Sequence, residues 1–553
     1  AAFVPHHASL RTGLARPSAR GMGLAAGASR SRASRGGGVL MKGGKGGKKK
    51  ANPELERVLN TYEPVIGVEV HAQLASESKA YCSCSTSYSP GSPNTNVCPV
   101  CMGEPGSLPV PNRRVVELSA KTGMALGCSI AAKTKWDRKN YFYPDTPKNY
   151  QITQYDRPIA EHGELELPSG KKVGITRLHM EEDSAKMLHQ GADSLAGSTH
   201  SLVDFNRAGS PLAEIVSEPD MCSGKEAAEY GRELQRVLRY VGASDGNMAE
   251  GSLRLDVNVS LRPKGSKELR TKVELKNLNS FRAVQESVDF EIVRQGSRCY
   301  DNDEPIQQET RLWDEKERVT KIMRVKEGES DYRYFPEPDI PPLALPEGVV
   351  SGWRGELCEL PAAKRHRYTQ QLGLAPADAQ VLADDQAVAL YFEEVLAQGA
   401  DPVEACKWII GDVAGYLNSA KMPIGEIGLT PSLLAELVGM IAKGKITGRI
   451  AKQELLPELL PPGAWGGSVG ELVAERGLEA ISDRATIETF VRRVVMAANS
   501  DKVAQYRKGK KKLAGFFVGQ TMTQSGGRAD PEITQEVAQA LLDSEEEPAG
   551  APP

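Results

Sequence analysis

The chain of 553 residues has no apolar run of the ~18 residues that a membrane-spanning helix needs, so a spanning helix is excluded. It has no dominant charge either. Its 69 Lys and Arg stand against 72 Asp and Glu, a formal net charge of -3, so any site for a polyanion must be local. Its nine cysteines are an odd count spread over a long chain, with four of them clustered. That pattern argues against a disulfide framework and for a reducing compartment with one metal site. Residues 1–50 contain no Asp or Glu but carry Arg11, Arg16, Arg20, Arg30, Arg32, Arg35 and a lysine-rich end amid Ala, Gly and Ser. This is the composition of a transit peptide, which predicts a chloroplast or mitochondrial destination, or both; a basic arm that binds RNA has the same composition.

What is present is ordinary in bulk: 40% hydrophobic and 25% charged residues, in a chain long enough for about three domains. The opening AAFVP resembles the phenylalanine motif at the head of plastid transit peptides in algae with complex plastids. A short helical lead-in is predicted over residues 51–59. It is followed by the stretch around which the rest is arranged, residues 62–74. At the two-residue period of a strand, Ile66, Val68, Val70, Ala72 and Leu74 share one face, while Glu69, His71 and Gln73 share the other. Oxygen ligands with one imidazole suit Mg²⁺ or Mn²⁺; an amphipathic strand with a solvated face has the same pattern.

Three later segments repeat the alternation. In residues 173–183, Arg177, His179 and Glu181 alternate with Leu178, Met180 and Glu182. In residues 251–261, Leu253, Leu255, Val257, Val259 and Leu261 alternate with Ser252, Arg254, Asp256, Asn258 and Ser260, with Glu250 at the entrance. In residues 269–276, Leu269, Thr271, Val273 and Leu275 alternate with Arg270, Lys272, Glu274 and Lys276. Such alternation predicts an antiparallel sheet with one open face, holding Glu69, His71, Asp256, Asn258, Lys272 and Lys276. That mixture suits a metal with polyphosphate.

Cys82-Ser-Cys84 and Cys98-Pro-Val-Cys101, thirteen residues apart, match a four-thiolate zinc knob with no open position, hence structural. A redox pair is the alternative, but the first pair is CxC and no thioredoxin-like βαβ pattern surrounds it. Cys128, Cys222, Cys299, Cys358 and Cys406 read as buried small residues. Residues 134–159 interleave aromatics with Lys135, Arg138, Lys139, Lys148 and Arg157 on a proline-broken loop. Base stacking and packing under the loop's own surface both fit that composition. Helices are predicted at 113–127, 223–241 and 280–294. Leu/Ala-rich helical segments then follow the proline-dense residues 336–346, among them 375–396, 403–419, 432–443, 486–497 and 533–542. Residues 439–445 resemble a P-loop, but Ile446 stands where Ser or Thr must ligand Mg²⁺, and a helix rather than a strand precedes it. Tyr506, Arg507, Lys508, Lys510, Lys511 and Lys512, backed by Phe516 and Phe517, form the strongest basic patch of the folded part and predict RNA backbone contact.

The motifs VIGVEVHAQL, NTNVCPVCMGEPGSLPVPN, KWDRKNYFYPDTPKNYQITQYDRPI, GITRLHMEEDSAK, SLVDFNRAGSPLAEIVSEPD, EGSLRLDVNVSLRP, VELKNLNS, QETRLWDE and SDYRYFPEPDIPPL run in order along the chain. Together they resemble the B-subunit (GatB) family of the tRNA-dependent amidotransferases. The resemblance implies an α+β protein: an antiparallel-sheet cradle, an all-helical region and a YqeY-like C-terminal tail touching the tRNA. The expected domains are a disordered leader (1–58), a catalytic cradle with its Cys₄ knob (59–345), a helical domain (346–485), the tail domain (486–545) and a disordered end (546–553). It implies ATP-dependent phosphorylation of the glutamate on Glu-tRNA(Gln), then amidation with ammonia; action on aspartate of Asp-tRNA(Asn) is the alternative. It implies Glu69, His71, Glu181, Glu182 and Glu250 as the Mg²⁺ shell, with Glu69, His71, Glu182 and Glu250 catalytic, and Asp256 a lesser candidate. Lys135, Arg138, Lys272 and Lys276 would meet phosphates. Where the family often has two acids before Gly251, this chain has Ala249 and Glu250. Zinc is found in only part of the family, but all four cysteines stand here. No Ser/Lys amidase or Cys glutaminase motif is recognisable, so ammonia would come from an amidase-type A subunit, with a small C subunit completing a heterotrimer. A zinc-stabilised tRNA-binding scaffold without catalysis is the competing reading.

Overall fold

The computed structural model describes residues 52–87, 91–191, 197–325 and 331–544, side chains excepted at 496 and 497. The transit-peptide reading of residues 1–50 and the disordered end at 546–553 lie outside the described residues. The chain divides into two compact units after residue 362.

The first unit is built on a nine-stranded sheet: β1 (Tyr62–Gln73), β2 (Ser129–Ile130), β3 (Ala160–Glu166), β4 (Lys172–Glu182), β5 (Pro211–Ser217), β6 (Leu253–Pro263), β7 (Val273–Lys276), β8 (Glu309–Asp314) and β9 (Val319–Val325). Its spatial order is β9-β8-β7-β6-β1-β5-β4-β3-β2. Every neighbouring pair is antiparallel except β7 and β8, so the sheet is mixed rather than purely antiparallel. β1 is central because its apolar face is buried along its whole length: Ile66, Val68, Val70 and Ala72 are all at most 1% exposed. Each such Ile or Val contributes about 1.5–3 kcal/mol on burial. A bulge at Val216/Ser217 interrupts the β5–β4 ladder, and Ser217 Oγ accepts the Val68 N–H at 2.9 Å.

The helices Arg113–Ala125, Gly224–Tyr240 and Phe281–Val293 contribute to the same apolar core as β1, β4 and β6. Asn112, Ser223 and Ser280 cap their N-termini through side-chain acceptors. Gly224 lets the second and third of these approach closely, since a Cβ there would stand 2.4 Å from the Gln285 carbonyl oxygen. The opposite face of the sheet carries the polar half of the alternation.

One segment without a predicted element proves central, and three expectations change. Residues 201–221 contain a central strand, β5, whose alternation is hidden because nearly all its side chains are buried. Residues 134–159 are not simply a loop, for Asp137–Asn140 and Tyr150–Thr153 pair as a hairpin that Phe335–Pro336 extends. The strand expected at 269–276 is only Val273–Lys276, with Leu269 65% exposed. Cys222 and Cys358 are half-buried, unlike Cys128, Cys299 and Cys406.

The second unit is helical and holds two apolar clusters, one spanning Tyr368 to Val473 and one spanning Ile487 to Leu542. Thr447 Oγ1 donates to the Gly527 carbonyl at 2.6 Å, and Ile481 bridges Ala529. The helix expected at 375–396 is two, Pro376–Ala383 and Gln386–Ala397, because Asp385 caps a new N-terminus. Among the described residues no helix is long and apolar enough to cross a membrane.

Candidate active site and metal centres

On the polar face, register brings three strands together. β1 places His71 opposite Glu214 of β5, and Glu214 lies opposite His179 of β4. Two residues along β4, Glu181 falls on the same side. His71 Nε2 stands 3.5 Å from Glu181 and 3.4 Å from Glu214, and His179 Nε2 is 3.1 Å from Glu214. Lys139, from the hairpin, closes on Glu181 at 2.9 Å. On the other flank, Asn258 donates to Glu69 at 3.0 Å, and Lys276 reaches Asp256 at 2.5 Å and Glu274 at 3.4 Å. Of these side chains Glu69, His71, Lys139, Glu181, Glu214, Asp256, Glu274 and Lys276 line one cleft of about 700 Å³, with Arg254 and Tyr332 at its wall, while Asn258 lines a smaller neighbouring pocket that shares Glu69.

Burial and crowding set the protonation of the group. Burial pushes the Glu69 carboxyl up, and the neighbouring charges of Glu214, Asp256 and Glu274 push it further. Burial opposes an imidazolium at His71, but hydrogen bonds to Glu181 and Glu214 overcome it and raise the group to about 10. Burial likewise resists ionisation of Glu214, yet His179 and His71 hold it well below the usual carboxylate range. Lys139 is raised although burial opposes its charge, because Glu181 and Glu214 face it. The cleft is therefore an acidic concentration that holds cations.

Two ligand sets fit metals. Ligand atoms of His71, Glu181 and Glu214 all lie within 4.8 Å of one another, a nitrogen and two oxygens suited to a hard divalent cation. The imidazolium proton marks where that cation would stand, since a ligating His must be neutral. The four thiols of Cys82, Cys84, Cys98 and Cys101 also lie within 4.8 Å of one another, and tetrahedral zinc with ~2.3 Å bonds needs about 3.8 Å between sulfurs. Hydrogen bonding from Cys82 lowers Cys101 to about 4 against the effect of burial, a thiolate ready to ligate.

The structure gathers Glu69, His71, Glu181, Asp256 and Lys276 in the cleft, with Glu250 exposed on its rim. It does not bring Glu182 there. One residue after Glu181, Glu182 falls on the Leu178/Met180 side, 3% exposed, accepting from Lys148 at 2.6 Å and from the Ile152 N–H at 2.8 Å. Lys135 pairs with Asp137 and Asp156, and Arg138 forks onto Glu337 at 2.7 and 2.8 Å, both away from the cleft lining. Lys272 is exposed beside a smaller pocket that shares Glu69. Sequence reasoning passed over Glu214, Lys139 as a cleft residue, and Glu274. The available signal for Glu214 was a lone acid inside the short apolar run PLAEIVS.

In the second unit Tyr506 and Phe517 are core residues, and Lys502 lies 3.4 Å over the Phe516 ring. Lys511 pairs with Asp543 at 2.6 Å and Arg507 donates to the Ser544 carbonyl at 2.6 Å. Lys508, Lys510 and Lys512 are exposed around them.

The family description "GatB/GatE catalytic domain" matches residues 64–351, and "GatB domain" matches residues 390–542. A protein of Crocosphaera subtropica, named as the B subunit of aspartyl/glutamyl-tRNA(Asn/Gln) amidotransferase, is 55% identical over 494 residues, covering 88% of this chain and 98% of its own. The protein of the same name from Synechococcus elongatus is 55% identical over 493 residues, covering 88% and 98%. That of Gloeothece citriformis is 52% identical over 496 residues, covering 88% and 99%. With the catalytic-domain match spanning more than half of the sequence and such relatives aligned almost end to end, this chain belongs to the GatB family.

Proposed function

We propose that this chain is the subunit of a glutamine-hydrolysing, tRNA-dependent amidotransferase that activates and amidates glutamate on Glu-tRNA(Gln). Aspartate on Asp-tRNA(Asn) is a second substrate, because the relatives' name covers both. The observation that carries the reading is the cleft floor, where Lys139, Glu181, His71 and Glu214 form one charged array inside the matched catalytic domain.

In the first step the substrate carboxylate attacks the terminal phosphorus of ATP, giving a mixed anhydride and ADP. Ammonia then attacks the carbonyl carbon, phosphate leaves, and the nitrogen loses a proton to give the amide. Both steps gather negative charge in the cleft. A divalent cation held by His71, Glu181 and Glu214, with Glu69 adjacent, would offset that charge and polarise the phosphoryl oxygens. Lys139 remains an ammonium throughout, orienting Glu181 and facing the same charge. Lys276, held between Asp256 and Glu274, is a second fixed cation on the opposite flank. Asn258 fixes the Glu69 carboxyl through its amide N–H.

Ammonia comes from glutamine hydrolysis on a separate amidase-type A subunit, with a small C subunit completing the trimer. Zinc at the four cysteines is structural. The exposed lysines of the second unit meet the tRNA backbone, and the composition of the leader supports import into a plastid or mitochondrion.

The test uses the assembled complex with Glu69→Ala and His71→Ala in this chain, ammonia in place of glutamine, and Glu-tRNA(Gln). Amide formation and Glu-tRNA-stimulated ATP hydrolysis should both be lost while tRNA binding persists. Full activity would establish the scaffold reading instead.

A further inference from the structure

Lys79 stands outside the cleft chemistry and is fully buried. Its ammonium donates to the Asn96 carbonyl at 2.9 Å and meets Cys101 Sγ at 3.7 Å. Among the described residues it has no ion pair with a carboxylate. The nearby Glu182 is engaged by Lys148 and the Ile152 N–H. The backbone of Lys79 is fixed on both sides and its stem lies against Gly209. Its N–H donates to the Cys84 carbonyl, its carbonyl accepts from Asn112 Nδ2, and a Cβ on Gly209 would stand 3.5 Å from its Cδ. A buried ammonium needs an anion, and with Glu182 already engaged by Lys148 the sulfur cluster is what Lys79 contacts.

We infer that Lys79 is the built-in counter-cation of a divalent metal bound by four thiolates, and that it makes the knob select this state over a disulfide-linked one. Four thiolates around a divalent cation carry a net charge of two minus, which one ammonium at Cys101 partly balances. Two disulfides would be neutral and would leave Lys79 buried without an anion. The inference rests on the zinc reading proposed above. It also ties the knob to the cleft, for the Ala80 N–H donates to the Gly209 carbonyl and the Gly209 N–H to the Asp183 carbonyl. Asp183 follows Glu181 by two residues, and β5 with Glu214 begins two residues after Gly209.

The experiment measures zinc per chain in the full-length protein within its complex, then zinc transfer to a competing chelator, for wild type, Lys79→Met and Lys79→Arg. Wild type should hold one zinc. Lys79→Met should weaken zinc 10- to 100-fold, the usual effect of removing a group that supports metal ligands, and Lys79→Arg should restore most of it. Wild type that takes up no zinc would overturn the zinc reading, and this inference with it. Zinc held equally well by wild type and Lys79→Met would overturn this inference alone. If Lys79→Met does not fold, the same substitution is made with Cys101→His, which removes one negative charge from the centre. The double variant keeps the wild type's balance of one uncompensated negative charge, so it should fold and hold one zinc; failure to do so would also overturn the inference.

Discussion

Glu181 and Glu182 are neighbours in sequence on opposite faces of one strand, and this makes Glu214 and Glu182 a sharp pair to perturb. Glu214→Gln keeps the volume and removes the charge that faces His71 and His179 at 3.4 and 3.1 Å. An imidazolium raised from 6.5 to about 10 by two carboxylates is stabilised by roughly 5 kcal/mol, of which about half falls to Glu214. The metal-free first unit should therefore lose about 2 kcal/mol, or roughly 4–8 °C in Tm. Amidation with ammonia should fall at least about 100-fold, and half-saturating Mg²⁺ should rise 10- to 100-fold. Glu182→Gln keeps an acceptor for the Ile152 N–H but leaves Lys148, 9% exposed, without its counter-charge. Removing one partner of a buried pair costs about 3–5 kcal/mol, so this variant should be the less stable of the two. Its Mg²⁺ dependence should nevertheless stay at the wild-type value in the folded fraction. Thermal melts and Mg²⁺ titrations of the ammonia-dependent reaction, on both variants in the complex, decide the matter. An equal rise in the Mg²⁺ requirement for Glu182→Gln would refute the division of faces.

Other outcomes are equally specific. Lys139→Met, which leaves Glu181 and Glu214 without their ammonium, should lower the single-turnover amidation rate by about 100-fold with tRNA affinity unchanged. In chelated protein the raised His71 stabilises the fold fully below pH 6.5, and this contribution is lost as pH climbs through about 10. The Tm difference between wild type and His71→Gln should accordingly shrink between pH 6.5 and 10. Val70→Ala in the middle of β1 should cost about 1–3 kcal/mol in chemical denaturation, because the site is 1% exposed and cannot collapse freely. Replacing Lys508, Lys510 and Lys512 by alanine should weaken tRNA binding and lower the slope of log affinity against log salt by roughly 2, read by filter binding at several salt concentrations.

Much of the scaffold was legible in the chain itself. The period of two in β1, β4 and β6 marked which side chains face the core, because one face of that sheet is apolar and the other is not. Ser223 and Ser280 marked helix starts, and the cysteine spacing marked a four-thiolate cluster whose ligand atoms meet in space. The ordered motifs identified the family that the catalytic-domain match bears out.

What the tertiary structure decided is partnership across the sheet. Which acid faces His71 depends on the register of β1 against β5 and of β5 against β4. β1 and β5 lie more than a hundred residues apart, and no local pattern encodes their register. β5 gave no periodic signal because it is buried on both faces, so Glu214 became visible only once its neighbours were in place. The cations divided for the same reason. Arg138 and Lys135 found acids on their own hairpin and in the 337–339 segment, whereas Lys139 alone of the three turned into the cleft. Local periodicity determines which way a side chain points, and only the folded register determines what it meets there.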